Sequence, residues 1–252
     1  MSLRTLTALP VYNEVDHVAG AIAGALSYCP EVLVVDDGST DGTSQLLAAR
    51  NEILRITHPS NQGYGAALRS AFDFAIHGGY DILVTIDCDG QHQPQLIPNF
   101  IAACRDNDDV DIVSGSRYLR QFLGDSDPPG QRRRINEIVT AELNRRLGLS
   151  LTDAFCGFKA YSVPNLAKIE LSETGYAMPL ELWVKAVQLG LRIVELLVPR
   201  IYLDEKRSFG GALDDSDTRL AVYRQVLDRA QGIGDSGQGV QTHRGENIHL
   251  ER

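Results

Sequence analysis

Short apolar runs and amphipathic stretches alternate through the first half of the chain. Apolar runs of strand length occur at 6–10, 32–35, 53–57, 82–86 and 112–114. Stretches with apolar residues at helical spacing lie between them, at 15–27, 43–50, 65–76 and 95–107. This alternation predicts an α/β fold with a mostly parallel sheet flanked by helices. Ligands of such sheets bind beyond the carboxyl ends of the strands.

The second half of the chain has a less regular pattern. It predicts helices at 132–147 and 180–189 and strands at 158–162 and 193–198. From about residue 232 the sequence is rich in Gly, Gln, Ser, Asp and His and has no apolar periodicity, which predicts a disordered tail. We therefore expect one folded domain over residues 1–231 and a polar tail over residues 232–252.

Composition narrows the function classes. A chain of 252 residues with 43% hydrophobic content can bury the core of one substantial domain. Its net charge of -9 argues against nucleic-acid binding, which needs clustered basic residues. The longest apolar runs are far shorter than the roughly 18 residues of a membrane span, so we expect no transmembrane segment, while peripheral attachment stays open. Widely spaced cysteines and no secretory signal indicate a reducing cytoplasm.

Acidic residues follow two of the predicted strands. Asp36 and Asp37 end the strand at 32–35, and Asp87 and Asp89 follow the strand at 82–86. Both groups fall on the edge of the sheet where ligands bind. Residues i and i+2 of an extended chain point the same way, about 6.5–7 Å apart, so the D-x-D pair can address one ligand together.

A pair of nearby carboxylates needs a cation to offset its repulsion. A small set of hard oxygen ligands suits Mg²⁺ or Mn²⁺, which usually share their coordination with substrate phosphates. Acids after strands also serve in turns and helix caps, and we assign that role to Ser39 and Asp41.

Five motifs in order carry a resemblance to a known family. They are PVYNE at 10–14, VVDDGSTDGT at 34–43, NQGYG at 61–65, DCDGQH at 87–92 and GSRY at 115–118. Together they resemble the family 2 glycosyltransferases of GT-A fold, and within them the dolichyl-phosphate or polyprenyl-phosphate mannosyl- and glucosyltransferases. The resemblance covers about residues 5–213 and implies that the folded domain is a GT-A catalytic domain.

The resemblance implies a nucleotide site near the first two strands. It implies that Asp37 binds the nucleotide base or ribose and that Pro10, Tyr12 and Glu14 shape the same pocket. A carboxylate suits the N–H and hydroxyl donors of a nucleoside, and Tyr12 can add stacking area. Asp36 is then a structural neighbour.

The resemblance also implies a diphosphate and metal site. Asp87 would lie near the ribose or the donor sugar, and Cys88 would contribute only its main chain. Asp89 and Gln91 would be the metal ligands that hold the donor diphosphate, with His92 behind them. A divalent ion there stabilises the charge on the departing nucleoside diphosphate.

Basic residues imply an acceptor site. Arg117 and the run Arg132, Arg133 and Arg134 correspond to groups that bind the acceptor phosphate in the lipid-phosphate enzymes. The alternative is a solvated basic start of a helix. That helix has one apolar face, formed by Ile135, Ile138, Val139, Leu143 and Leu147. The face can lie on an anionic membrane or pack in the core.

Asp153 begins the segment DAFCGF at 153–158, which resembles a segment near the family's reaction centre. We predict that it acts with Asp89 and Arg117 in catalysis, by orienting the acceptor or as a general base. A sugar hydroxyl must lose a proton, whereas a phosphate oxygen is already anionic near neutral pH, so with a lipid phosphate Asp153 would only position. Glu181 fits a further acidic position whose role stays open.

The loop that closes on the diphosphate departs from the family pattern R-x-x-G-x-S-K. Arg207 matches its arginine and is a predicted donor-binding residue, but Ala212 and Leu213 replace the usual Ser and Lys. The loss of that lysine removes one positive charge from the phosphate site.

Two enzyme functions and one non-enzymatic function compete. The leading prediction is an inverting, metal-dependent glycosyltransferase that moves a sugar from a GDP- or UDP-hexose to polyprenyl phosphate. The second keeps the donor and uses a soluble hydroxyl or phosphate acceptor. The third is a non-catalytic protein that binds nucleotide sugars. A dehydrogenase is disfavoured, since no GxGxxG follows the first strand. Peripheral contact with the cytoplasmic membrane face remains part of the first prediction.

Overall fold

The computed structural model of the chain describes residues 3–106, 109–120, 125–126, 130–201 and 211–233. Its strands are β1 (Thr5–Val11), β2 (Val32–Asp36), β3 (Leu54–Thr57), β4 (Ile82–Thr85), β5 (Ile112–Ser116), β6 (Lys159–Ser162) and β7 (Ile193–Leu197). Its helices are α1 (Val18–Leu26), α2 (Thr43–Ala48), α3 (Tyr64–His77), α4 (Ile97–Arg105), α5 (Gly130–Leu147), α6 (Val163–Leu166), α7 (Met178–Gln188) and α8 (Ser216–Ala230). Short 3₁₀ turns precede α4 and α8, at Pro94–Leu96 and Gly211–Asp214.

Within the described residues the strands form one seven-stranded sheet in the order β3-β2-β1-β4-β6-β5-β7. Neighbouring strands run parallel except at β6, which is antiparallel to both β4 and β5. The predicted mostly parallel α/β sheet is confirmed. Because β6 is reversed, its first residue, Lys159, pairs with Thr85 and Ser114 near the ends of their strands. The segment before Lys159 therefore lies at the edge where ligands bind.

The sheet is covered on both faces, and β1 shows how the sequence achieves this. Leu6 and Ala8 point into the cluster shared with α3, α5, α7 and α8, while Leu9 and Val11 point into the cluster shared with α1, α2 and α4. Alternate residues of a strand face opposite sides, so a strand buried on both faces is apolar at nearly every position.

The structure shows where the apolar face of helix α5 lies. Ile135, Val139 and Leu143 are buried in the core with α7 and α8. Of the two alternatives for this face, packing in the core is confirmed, and contact of the same face with a membrane is wrong. No helix in the described part of the chain is long and apolar enough to cross a bilayer.

Helices differ from the sequence prediction at two places. Helix α2 is capped by Gly42 at a φ of 101°, and the Asp41 carboxylate accepts from the amide of Thr43 at 3.0 Å, so the predicted cap at 39–41 lies one residue too early. Helices α6 and α8 were not predicted. Arg207 lies outside the described residues. Of the predicted tail, the structure describes only residues 232 and 233.

Candidate active site

A cavity of about 710 Å³ lies at the carboxyl edge of the sheet. Its volume is typical of sites for small molecules. Its walls come from the residues that follow β1, β2, β4 and β5, from the starts of α3, α5 and α7, and from α8. The cavity thus unites the two acidic strand ends with the basic start of α5, which are far apart in the sequence.

The loop after β1 forms the first wall. Pro10, Tyr12 and Glu14 all line the cavity, where the sequence places the nucleotide. Between them, Asn13 has a φ of 55°, a conformation unusual for a residue with a side chain. Its amide donates to the Ser39 hydroxyl at 2.9 Å and its side-chain oxygen accepts from another amide of the same turn. The turn after β2 therefore fixes the loop in the shape that presents Tyr12.

Asp37 lines the same wall, but most of its bonding is internal. The carboxylate is 3% exposed and accepts from the amides of Gln62 at 2.9 Å and Gly63 at 2.8 Å. The ring Nδ1 of His58 lies 2.6 Å from it and carries the hydrogen, because an ionised carboxylate only accepts. Asp37 therefore clamps the loop at 61–63 to the end of β2 as well as facing the cavity.

Asp36 has a structural role, as the sequence indicates. Its side chain is fully buried and accepts from the Ser39 amide at 3.0 Å and the Ser44 hydroxyl at 2.5 Å. It does not line the cavity. Of the two neighbouring acids, only Asp37 is placed to meet a ligand.

The acids after β4 form the second wall. Asp87, Cys88, Asp89 and Gln91 line the cavity together. The Tyr64 hydroxyl donates to Asp87 at 2.9 Å, and the Asp89 carboxylate accepts from the Gln91 amide at 3.0 Å. Cys88 as a whole is 3% exposed.

His92 supports this wall from behind. Its Nδ1 accepts from the Asp87 amide at 3.2 Å, so the hydrogen is on Nε2, which lies 3.8 Å from the Cys156 sulfur. His92 is absent from the cavity lining. This position fits the supporting role expected for it.

The acidic wall fits a divalent cation. Burial raises the pKa of Asp89, and the negative charge of Asp87 raises it further. A cation between the carboxylates and a ligand would remove that repulsion. No group of three or more His, Cys, Asp and Glu side chains that could hold a metal occurs in the described ranges. Asp89 and Gln91 bring side-chain oxygens to the cavity, and oxygen is the ligand type that Mg²⁺ and Mn²⁺ prefer.

Arg117 follows β5 and also lines the cavity, where its charge acts on Asp89. Its Nε and Nη2 donate to Asp153 at 2.6 and 2.9 Å, in a bidentate ion pair. Asp153 is fully buried and also accepts from Asn136 Nδ2 at 2.9 Å and the amide of Phe155 at 3.2 Å. Although burial alone would raise the pKa of Asp153, the Arg117 guanidinium and the Asn136 amide lower it below its usual value.

This geometry changes the prediction for Asp153. The carboxylate does not line the cavity, and five donors surround its two oxygens. A general base needs access to its substrate and a vacant lone pair. The structure gives Asp153 neither, so this arrangement favours the orienting role over the general-base alternative. What Asp153 does is hold Arg117.

A buried network that the sequence did not reveal supports the pair. Asn136 accepts from the Thr140 hydroxyl at 2.8 Å, which in turn accepts from the Ala154 amide at 3.2 Å. The Glu195 carboxylate accepts from the amides of Thr152 and Asp153, both within about 3.0 Å. These bonds fix the turn at 152–154 from α5 on one side and β7 on the other. The polar Asn and Thr on the buried stripe of α5 are the signal that could have indicated it.

The three arginines at the start of α5 separate in the structure. Arg132 lines the cavity. Arg133 is exposed and its Nε donates to Glu137 at 2.8 Å, one helical turn along, and Arg134 is exposed as well. Arg133 and Arg134 do not line the cavity, because successive helical residues point about 100° apart, and their acceptor-phosphate role stays a prediction.

Four aromatic side chains in two stacked pairs line the cavity. The rings of Tyr64 and Tyr176 stack at 5.7 Å, and those of Phe155 and Tyr223 at 5.0 Å. Glu181 does not face the cavity; its carboxylate accepts from the amides and hydroxyl of the turn at 172–173 and so anchors the loop that carries Tyr176. Basic groups beside aromatic walls suit an anion attached to an apolar group.

Comparisons with known proteins agree with this site. The model of glycosyl transferase family 2 matches residues 7–169. The undecaprenyl-phosphate mannosyltransferase of Micrococcus luteus is 32% identical over 225 residues, which cover 85% of this chain and 91% of that protein. The polyprenol monophosphomannose synthase of Mycolicibacterium smegmatis is 32% identical over 249 residues, which cover 91% of each chain.

A solved structure shows the same fold. Glucosyl-3-phosphoglycerate synthase from Mycobacterium tuberculosis, in complex with uridine diphosphate, aligns with a TM-score of 0.72 and 21% identity over 95% of this chain and 84% of that one. The same enzyme has been crystallised with Mn²⁺ and with Mg²⁺. The family match extends over more than half of the chain and includes both acidic strand ends. The chain is therefore a member of glycosyl transferase family 2, with a GT-A fold.

Proposed function

We propose that the chain transfers a mannosyl group from a nucleotide sugar to polyprenyl phosphate in a reaction that depends on Mg²⁺ or Mn²⁺. The observation that carries the proposal is the cavity itself, which joins an acidic wall for a cation and a diphosphate to an arginine wall for a second anion. Relatives that match most of the chain are a mannosyltransferase and a monophosphomannose synthase named for polyprenyl phosphates. The stacked rings of Phe155 and Tyr223 lie near Arg132 in this cavity, which suits a lipid attached to that anion.

The donor would lie along the first two walls. The loops after β1 and β2 would hold the nucleoside, with Tyr12 as a stacking surface and Asp37 as an acceptor. Asp89 and Gln91 would hold the cation, and Asp87 the ribose or sugar. A bound Mg²⁺ or Mn²⁺ supplies positive charge for the leaving nucleoside diphosphate. GDP and UDP both fit this description, so the nucleotide is left to experiment.

The acceptor would present its phosphate to Arg117 and Arg132. One phosphate oxygen attacks the anomeric carbon as the bond between that carbon and the donor phosphate oxygen breaks, and its electron pair leaves with the nucleoside diphosphate. Attack in line inverts the anomeric configuration. A phosphate oxygen is already an anion near neutral pH, so the reaction needs no base. This agrees with Asp153 being buried against Arg117.

The experiment measures sugar transfer by the purified chain. GDP-mannose and UDP-glucose are each incubated with farnesyl phosphate or farnesol, with Mn²⁺ or with EDTA. We expect transfer of mannose to farnesyl phosphate, none to farnesol and none with EDTA, and transfer of glucose alone would contradict the mannosyl group. Transfer to glycerol phosphate at equal efficiency would instead support a soluble phosphate acceptor, to which the replacement by Leu213 in the closing loop also points. No transfer from any donor would refute the proposal.

A further inference from the structure

Helix α8 places two buried polar side chains in the wall of the cavity. Arg219 and Tyr223 are one helical turn apart and share a face of the helix. They are 3% and 4% exposed, yet both line the cavity. The family model ends at residue 169, so it gives this helix no function.

The Tyr223 hydroxyl has no hydrogen-bond partner among the residues that the structure describes. Every fully buried side-chain oxygen or nitrogen among those residues has a hydrogen-bond partner except Thr7 Oγ1. The Tyr223 oxygen has no partner, so it is not fully buried and is open to the cavity. Its ring cannot easily turn away, because it stacks on Phe155 at 5.0 Å. A hydroxyl that is open to the cavity and bonded to no protein group can donate to a ligand there.

Two positive charges act on this hydroxyl. Burial raises the pKa of Tyr223 to about 12, while the charges of Arg219 and Arg132 oppose the rise. The phenol therefore keeps its hydrogen near neutral pH and can donate it. The Arg219 guanidinium is held in place by the Leu213 carbonyl, which accepts from Nη1 at 2.7 Å. A neutral donor between two guanidinium groups is a suitable environment for an anion with several oxygens.

The position of these groups favours the acceptor over the donor. Phe155, on which Tyr223 stacks, is two residues after Asp153, which holds Arg117. Arg132, the second cavity-lining arginine of the acceptor side, is one of the charges that act on Tyr223.

We propose that Tyr223 and Arg219 bind the phosphate group of the acceptor, Tyr223 by donating a hydrogen bond to a phosphate oxygen and Arg219 by its charge. This inference rests on the proposed function in taking the acceptor to be a phosphate. It goes beyond that function by assigning recognition to α8. Arg219 lies near the start of α8 and supplies a positive charge. Leu213, which stands where the family pattern has a lysine, supplies none.

The test uses substitutions that leave the fold intact. Tyr223→Phe keeps the ring that stacks on Phe155 and removes only the hydroxyl, with Tyr28→Phe on the exposed surface as its control. Arg219→Gln has Arg224→Gln as its control, an exposed arginine of the same helix whose Nε donates to Glu142 at 2.9 Å. Each protein is assayed for the KM of farnesyl phosphate at saturating donor, and for the Kd of farnesyl phosphate and of the nucleoside diphosphate by calorimetry.

We expect Tyr223→Phe to raise the KM and Kd of farnesyl phosphate about 10-fold, the effect of one hydrogen bond to a charged group. Arg219→Gln should raise them by at least as much, while the Kd of the nucleoside diphosphate stays unchanged in both variants. Both controls should behave as wild type. An unchanged KM and Kd for farnesyl phosphate in Tyr223→Phe, or a change confined to the nucleoside diphosphate, would overturn the inference.

The design separates this inference from the proposed function. If the wild type transfers no sugar to farnesyl phosphate, the proposed function fails. The calorimetric Kd values still test the inference in that case. The inference requires farnesyl phosphate to bind the wild type more tightly than it binds Tyr223→Phe, and farnesol to bind both proteins equally. Equal binding of farnesyl phosphate to wild type and variant would refute it independently of turnover.

Discussion

Replacing Asp153 by Asn removes the charge that holds Arg117 in the cavity wall. In the native protein the Asp153 carboxylate is fully buried and accepts from Arg117 at 2.6 and 2.9 Å and from Asn136 at 2.9 Å. An amide at this position would point its own N–H groups at some of these donors. Removing one partner of a buried pair destabilises proteins by about 3–5 kcal/mol. We expect about 3 kcal/mol, because Arg117 is 16% exposed to the cavity and can be partly solvated there.

Urea unfolding measures this loss. Trp183 is the single tryptophan of the chain, and its Nε1 donates to the carbonyl of Ala154 at 2.9 Å, so its fluorescence reports on the turn next to Asp153. The pKa of Asp153 is lowered in the folded protein. The stability that it contributes is therefore present in full above the unfolded pKa of about 4 and is lost as the pH falls through the lower folded value. The difference between wild type and Asp153→Asn should be constant from about pH 5 upward and shrink in acid.

The kinetic consequence tests the positioning role. We expect Asp153→Asn to lower kcat/KM for farnesyl phosphate while the Kd of the nucleoside diphosphate is unchanged, since only Arg117 loses its support. A double-mutant cycle with Arg117→Gln should give a coupling of about 2 kcal/mol or more in stability. A variant as stable as wild type, with a coupling near zero and a pH-rate profile that has lost an ionisation, would mean that Asp153 acts as a base.

Three further predictions address the other walls. Asp89→Asn should abolish the Mn²⁺-dependent rise in melting temperature that a nucleoside diphosphate causes; retention of that rise would remove Asp89 from the metal site. Arg132→Gln should raise the KM for farnesyl phosphate about 10-fold. Arg134→Gln, two residues along the helix and outside the cavity, should leave that KM unchanged. Equal effects of the two substitutions in a kinetic assay would contradict the assignment of Arg132 to the acceptor phosphate. Gly157→Ala would push a Cβ into the Asp87 carboxylate, so it should weaken donor binding in calorimetry while the free energy of unfolding changes less than for Asp153→Asn.

The element pattern was largely predictable, but the direction of β6 was not. Apolar runs show where strands occur because burial on both faces requires them, and β1, β2 and β4 lie within a residue or two of their predicted bounds. A four-residue strand has the same pattern in either direction. The reversal of β6 is set by how α5 returns the chain to the sheet. That reversal, more than any motif, brings residues 153–157 to the ligand edge.

The sequence predicted the position of a site residue correctly where its place at the end of a strand decided that position. It did not predict the role of a residue where a side-chain contact decided that role. Acids at strand ends had to meet at one edge, and Asp87 and Asp89 do. Whether Asp153 faces a substrate or an arginine depends on a side-chain contact that no spacing encodes. Tyr223 was missed because α8 was not predicted, although an arginine at position 219 on the stripe shared with Tyr223 and Val226 was a readable signal.

The segment 153–157 connects the parts of the site through alternate residues. Asp153 pairs with Arg117 of the acceptor wall, Phe155 stacks on Tyr223 of α8, and Gly157 lies against Asp87 of the donor wall. Because this one short segment contacts both walls and α8, a shift of its backbone would change the separation between the two anions. Transfer depends on that separation, because reacting atoms must approach to about 3–3.5 Å in line. The segment is thus placed to affect the geometry of transfer as well as the shape of both binding walls.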